Sequence, residues 1–590
     1  MRASVRRLLS CLAAVAALGP RAADACGGTF CDTGPQAMPV DQSGENILFV
    51  LDGGTVEAHV QIQYQGSAER FAWVVPMPAV PDVTVGSQPL FTRLLAGTVP
   101  TYALQTQADQ CGAGGSGGGV SFDGGFSGSG GSSGAGGGPQ VVFEKTVGAF
   151  EVVVLQGGTA VEVVSWLQNN NYQTISTAPQ ILQDYVAQSY VFVAVKLTAG
   201  AGLDEIHPLV FKYTGTEPCI PLKLTRVAAT EDMAVRAFFL GDDRVVPTNY
   251  KHVVLNPVRV DWVALGANYK QVISRGADSA VANGRAFFTE YAGSSNVVGT
   301  PGVYSAAWNA APFATLQPEQ VITELQKQGL VYCSTGSNCS YMHPLIQGIL
   351  ADFLPVPAGM KDYDFYGCLS CNSALIDKTK WNAGEFSAAV QTRIVDPAKH
   401  AKALLDKWPY LTRLYTTISP AEMTEDPMFR AAPGEQTVQP NNTAVQRITC
   451  DGKRGVLLPD DRQVALAGSQ WPAWDSQMPW AEEIEEYTPS GKITLVDNTK
   501  KIDALLAEWN QKQGWPPPTG SGGGGAGGAG SGGSSSGTGG GNSGSGSTEV
   551  EPGGGGGCGV GARPSGALAW LGLGALALAL RRRGQRQVAR

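Results

Sequence analysis

Apolar and polar residues alternate along 56–64, Val-Glu-Ala-His-Val-Gln-Ile-Gln-Tyr, the period-two signature of a strand with one buried and one polar face. The run 45–51 before it is largely apolar. Asp52, Gly53 and Gly54 between the two supply turn chemistry, so the pair predicts a β-hairpin. A third strand is expected at 71–75, stopped by Pro76 and Pro78, and others at 150–155, 190–197, 208–213, 223–227 and 233–240. Between them, 161–167 and 179–185 have helical spacing. Beyond residue 300 helices with readable ends take over. Pro318 opens one over 318–328, with Val321, Ile322 and Leu325 on one side and Gly329 as its stop. Asp396 is expected to cap a second, which starts at Pro397, packs Ala401, Leu404, Leu405 and Trp408, and ends at Pro409. A third covers 499–511 through Ile502, Leu505, Leu506 and Trp509. The pattern is α+β: a β-rich half of antiparallel hairpins over 26–300, then a helix-rich part over 301–515.

Glycine interrupts this pattern twice. The stretches 112–138 and 520–557 hold 36 of the 77 glycines and almost no apolar side chains, so neither can bury enough surface to fold. The first makes 112–139 a surface loop within the β-rich part, and the second makes 516–557 a flexible linker. Formal G-x-S-x-G matches at 130–134 and 533–537 fall inside these tracts, without the strand and helix a nucleophile elbow requires.

The two ends read as targeting segments. Arg2, Arg6 and Arg7 precede the apolar run 8–18, and Ala23-Asp24-Ala25 is an A-x-A cleavage pattern, so 1–25 is a signal peptide cut after Ala25. Cys26 lacks the leucine-like residue that a lipoprotein signal places three positions earlier. The segment 558–590 carries an apolar helix over 565–580, followed by Arg581, Arg582, Arg583 and Arg586, a charge cluster that stays on the cytoplasmic side. Sixteen apolar residues fall short of the roughly 20 of a permanent span, which suggests a segment held and then cut, with a plain single-span anchor as the alternative. The expected location is therefore outside the cytoplasm: cell surface, outer membrane or extracellular, anchored through the tail. Residues 26–557 hold 32 Lys and Arg against 49 Asp and Glu, a net charge of about −17 that disfavours nucleic acid as a partner.

Chemistry is harder to find. In an oxidising compartment disulfides are the default for Cys26, Cys31, Cys219, Cys333, Cys339, Cys368, Cys371 and Cys450. Close spacing suggests Cys26 with Cys31, Cys333 with Cys339 and Cys368 with Cys371, leaving Cys219 for Cys450 and Cys111 over, although connectivity does not follow from spacing alone. Cys333, Cys339, Cys368 and Cys371 could instead form a zinc site, or Cys368 and Cys371 a redox pair. No cofactor is expected beyond such Zn²⁺, or Ca²⁺ at Asp242-Asp243, Asp362 with Asp364, or Asp460-Asp461, each of which turn formation explains with less assumption. His59, His207, His252, His343 and His400 stand apart with no paired ligand spacing, and each reads as a structural or surface histidine. Trp471, Trp474 and Trp480 could stack on a sugar, or staple a loop to the core.

Two resemblances follow from longer motifs. Cys558-Gly559 after a glycine tract, then a short apolar helix and an arginine cluster, resembles the C-terminal sorting tails of myxobacterial surface proteins, which implies processing or lipid attachment at Cys558, a sorting protease as partner, and the envelope membrane as anchor. The segments Ala25-Cys-Gly-Gly-Thr-Phe-Cys31, Phe71-Ala-Trp-Val-Val-Pro-Met-Pro78 and Tyr410-Leu-Thr-Arg-Leu-Tyr-Thr-Thr-Ile-Ser-Pro-Ala-Glu-Met-Thr424 resemble a family of exported bacterial proteins catalogued as a domain of unknown function. That resemblance implies no activity. The favoured expectation is a non-catalytic binding or structural envelope module with an extracellular ligand; the alternative is a secreted hydrolase or thiol-redox protein whose site is assembled from distant residues.

Overall fold

The computed structural model describes residues 41–65, 72–109, 139–170, 172, 178–198, 205–226, 229–334 and 337–515. The signal and tail segments, Ala25, Cys26, Cys31, Cys111, Cys558 and the glycine-dense stretches with their G-x-S-x-G matches lie outside the described residues.

A ten-stranded mixed sheet forms the centre. In chain order its strands are β1 (Asp41–Asp52), β2 (Thr55–Gln65), β3 (Asp82–Val85), β4 (Leu209–Thr214), β5 (Ala229–Gly241), β6 (Lys251–Leu255), β7 (Ala286–Ser294), β8 (Tyr410–Ile418), β9 (Ala481–Thr488) and β10 (Gly491–Asp497). In space they run β10-β9-β6-β7-β8-β5-β1-β2-β4-β3. The pairs β1·β5 and β6·β7 are parallel and the rest antiparallel. Strands β1 and β2 are the hairpin that the alternation predicts, and Gly53 and Gly54 turn it with φ of 57° and 92°, which side chains rarely tolerate.

Side chains of the middle strands sort onto two covered faces. Ile47, Phe49, Val56, Ala58 and Val60 pack against a four-stranded antiparallel sheet built from Ala72–Met77, Gln140–Val147, Phe150–Gln156 and Val191–Leu197. Leu48, Val50, Phe238 and Leu240 point the other way, onto Leu90, Phe91 and Leu94 of helix Gln88–Thr98 and Ala401 and Leu404 of helix Asp396–Lys407. Burial on both sides explains why 45–51 reads as a continuous apolar run while β2 alternates. Pro76 lies on the edge strand of the smaller sheet, where a missing N–H breaks no ladder.

The chain between β7 and β8 forms a mostly helical body around Phe313, Leu325, Ile349, Phe386 and Ile394, crossed by disulfides Cys333–Cys339 and Cys368–Cys371. A further four-stranded sheet combines Thr101–Ala108 with Asn441–Ile448, Arg454–Leu457 and Gln463–Ala465, and helix Thr499–Gln513 packs with it through Ile502 and Leu506. Among the described residues no helix is long and apolar enough to cross a membrane.

The fold is α+β with its strands concentrated in the first half, but it departs from the sequence reading in four places. Strand pairing in the large sheet is mixed, because β5 and β7 reach their partners through crossovers and not hairpins. After the helical body the chain returns to strands, and β8 inserts between β5 and β7, so residues from both expected parts share one sheet. The segment expected as a strand at 223–227 holds the one-turn helix Leu222–Thr225, set by Pro221 before it. Asp396 is no cap: a wider helical turn over Gln391–Val395 leads without a break into the helix, so no free N–H groups are left for it to meet.

Candidate functional site: a polar cavity over β6, β7 and β9

A cavity of about 840 Å³ opens beside β6, β7 and β9. Its chemistry centres on His252. Strands β6 and β9 pair with His252 directly across from Glu485, which brings together two residues 233 positions apart. The His252 Nδ1 lies 2.8 Å from Glu485 Oε2 and its Nε2 lies 2.9 Å from Thr289 Oγ1. A carboxylate can only accept, so Nδ1 carries the proton and Nε2 accepts from the threonine hydroxyl. Arg244 Nη2 then donates to Thr289 Oγ1 at 2.9 Å, so guanidinium, hydroxyl, imidazole and carboxylate form one consistent chain of donors.

Local backbone explains the placement. The register of β7 against β8 slips between Thr289 and Tyr291, and such a bulge re-aims side chains beside a site, so Thr289 and Glu290 both line the cavity. Glu290 is buried and pairs with Arg413 of β8 at 2.5 Å, while Tyr269 donates to it at 2.9 Å. Lys492, opposite Tyr487 on β10, reaches Glu485 at 2.7 Å.

Electrostatics follow from burial and partners. Burial pushes the Glu485 carboxyl up, but hydrogen bonds from His252 and Lys492 outweigh it and hold the group at about 2. Burial lowers His252, against the pull of Glu485, so the imidazole is neutral over a wider pH range than a free histidine. The hydrogen bond to Glu485 raises Lys492. Burial raises Glu483, and neighbouring Glu485 adds to it. Six carboxylates line the cavity (Glu290, Glu435, Asp460, Glu482, Glu483, Glu485) against two permanent cations, Arg244 and Lys492, so its lining is acidic.

Other residues singled out in the sequence take other places. His207 is buried, with Nδ1 on the Pro208 carbonyl and Nε2 accepting from Ala149 N, and burial lowers it to about 3. His343 packs edge-on against Trp308. His59 and His400, 341 positions apart, meet on Glu57, so two histidines read as isolated share a partner. Cys219 is a free thiol that burial pushes well up, and Cys450 is disulfide-bonded, so the expected Cys219–Cys450 link does not form. Cys219 bridges to Met428 beside the large sheet, whereas Cys450 follows strand Asn441–Ile448 of the further small sheet. The four sulfurs weighed as a zinc site are engaged in two disulfides. Trp471 and Trp474 both donate to the Val258 carbonyl and so staple their loop, and Trp480 lies under the Arg259 guanidinium. Asp460 accepts from Arg462, and Asp362 from Tyr341, so neither presents a free carboxylate.

The cavity residues were missed because the constellation is built across strands. His252 and Thr289 belong to neighbouring parallel strands, and Glu485 arrives from the far end of the chain. One signal was present: Glu482, Glu483, Glu485 and Glu486 sit among Ala481, Ile484 and Tyr487 without clean alternation, which marks a strand that buries acid.

No curated protein and no solved structure matches the chain. Residues 20–335, more than half of its length, match the model of the DUF2330 family of uncharacterized proteins conserved in bacteria, and the chain belongs to that family.

Proposed function

We propose that the chain is an exported envelope protein that binds a small polar molecule in the cavity beside β6, β7 and β9. The observation that carries this reading is the convergence of Arg244, His252, Thr289 and Glu485 on one cavity of about 840 Å³, a size typical of ligand sites. The excess of carboxylates over cations favours a ligand rich in donors, such as a neutral or amino sugar, over an anion. The signal-like start, the arginine-flanked apolar tail and the two short-range disulfides support export and display through the C-terminal tail, with a sorting protease acting near Cys558. The test is thermal unfolding of the full chain with millimolar glucose, glucosamine or glucuronate. Saturable stabilisation in the order glucosamine, glucose, glucuronate is expected, weakened by Glu483→Gln. Stabilisation by the anion alone, or by none of the three, counts against the reading.

A second reading is favoured by one specific geometry. The order hydroxyl, imidazole, carboxylate over Thr289, His252 and Glu485 is that of a nucleophilic hydrolase, in which the Thr289 proton passes to His252 Nε2 as Oγ1 attacks an ester's acyl carbon, the ester C–O bond breaks and its alcohol leaves with that proton, and water then hydrolyses the acyl-threonine to the acid. Hydrolysis of p-nitrophenyl acetate by the full chain, lost in Thr289→Val, is its signature; equal rates in both proteins exclude it.

A further inference from the structure

Strand β2 carries a second polar cluster on the face opposite its apolar one. Alternation sends Val56, Ala58 and Val60 into the sheet-on-sheet core, and Glu57 and His59 therefore point to the helix layer, where both are buried. Helix Asp396–Lys407 lies over them and lowers His400 onto the same carboxylate. The Nε2 atoms of His59 and His400 both lie on Glu57 Oε1, at 2.7 and 2.5 Å, and the two rings are parallel, with centroids 5.7 Å apart. All three ligand atoms fall within 4.8 Å of one another.

We propose that Glu57, His59 and His400 form a divalent transition-metal site that takes Zn²⁺. Two imidazole nitrogens and one carboxylate oxygen are a ligand set of this ion, and three protein ligands leave a further position for water or substrate. Around a tetrahedral ion with bonds of about 2.0–2.1 Å, ligand atoms stand about 3.3 Å apart, so the carboxylate and the imidazoles need part by only about 1 Å. Helix Asp396–Lys407 can supply this movement, because the His400 side chain is 43% exposed and forms the solvent side of the cluster. Glu57 and His59 on β2 are the fixed half, two residues apart on one strand. Hard oxygen-seeking ions such as Ca²⁺ are disfavoured, since two of the three donors are nitrogens. A nearby cation is Lys212, whose Nζ lies 3.5 Å from Glu57 Oε2 on an exposed stem free to swing into water. It competes with the ion for Glu57.

Zinc binding to the full chain, measured by equilibrium dialysis with elemental analysis, tests the assignment. One Zn²⁺ per chain is expected. Loss of an outer-shell partner commonly weakens metal affinity about 10–100-fold, so removing a ligand itself in His400→Ala should weaken binding at least about 100-fold. Lys212→Ala should tighten it several-fold, a gain that a purely structural cluster would not give. With Co²⁺ in place of Zn²⁺, visible absorption bands of a low-coordinate nitrogen–oxygen site should appear and vanish in His400→Ala. Absence of zinc binding overturns the proposal, as does zinc binding that His400→Ala leaves unchanged. Because His400 is half exposed, its loss leaves the fold in place, and circular dichroism of the variant verifies this.

Discussion

One sheet holds two histidine–glutamate pairs, and they are built on opposite plans. At β6 and β9, His252 and Glu485 are cross-strand partners within a closed chain: both imidazole nitrogens are engaged, and Lys492 takes the second carboxylate oxygen. At β2, two imidazoles converge on a single oxygen of Glu57, and the buried Nδ1 of His59 has no hydrogen-bond partner among the described residues. The first arrangement has its hydrogen bonds satisfied and gains nothing from an ion. The second brings lone pairs together that only a proton or a cation can share. Having a histidine on a glutamate therefore says little; what the other nitrogen and the other oxygen meet decides the role.

Breaking the closed pair should have the largest effect. Glu485→Leu leaves the buried Nδ1–H of His252 without its acceptor and takes the carboxylate from Lys492, and two hydrogen bonds to a charged group, at about 1.5–3 kcal/mol each, together cost about 3–5 kcal/mol. Urea denaturation at pH 7 checks it. The stability that Glu485 contributes follows the sign of its shift. Its carboxyl is held at about 2 in the fold, below the ordinary 4.5, so the contribution is present above pH 4.5 and is lost as pH falls through 2.

A third acid sharpens the contrast because it has no basic partner among the described residues. Glu45 of β1 is buried beside Ile47 and Phe49, and burial alone pushes its carboxyl up to about 7. Here the folded value lies above the unfolded one, so the fold is favoured below pH 4.5 and loses stability as pH rises through 7. Glu45→Gln should therefore leave stability unchanged near pH 4 and raise it by up to about 3 kcal/mol at pH 8, one pKa unit being about 1.4 kcal/mol. Thermal melts at the two pH values compare them.

At β2 the expected effects are smaller and conditional. Without metal, His400→Ala should cost under about 1 kcal/mol, as half-exposed pairs do. With zinc at about 100 times its dissociation constant, the native protein should gain about 2.7 kcal/mol and the variant at most about 0.4 kcal/mol. A urea series with and without zinc separates the two.

Much of the scaffold was legible in the sequence, and the sites were not. The β1–β2 hairpin, the helices at Val321–Lys327 and Thr499–Gln513 and the strands around Phe150 and Val191 follow from local periodicity and turn residues, which act over a few positions. Local signals also misled where context overrode them: Pro221 turned the strand-like segment 223–227 into a helix, and the turn Gln391–Val395 removed the need for a cap at Asp396. Both histidine clusters depend on strand order and on a helix laid across a sheet, so partners 233 and 343 positions apart leave no spacing to read. Arg413 shows the same limit: it lies inside strand β8, and only β7 beside it identifies Glu290 as its partner.

The contrast between the two pairs is tested most directly by ¹H–¹⁵N spectra of the full chain labelled with ¹⁵N-histidine, recorded as zinc is added. The account predicts that His252 stays neutral with its proton on Nδ1 and does not move, while the Nε2 resonances of His59 and His400 shift together and saturate at one equivalent. A shift of His252 with zinc, or no shift at His59 and His400, would contradict it.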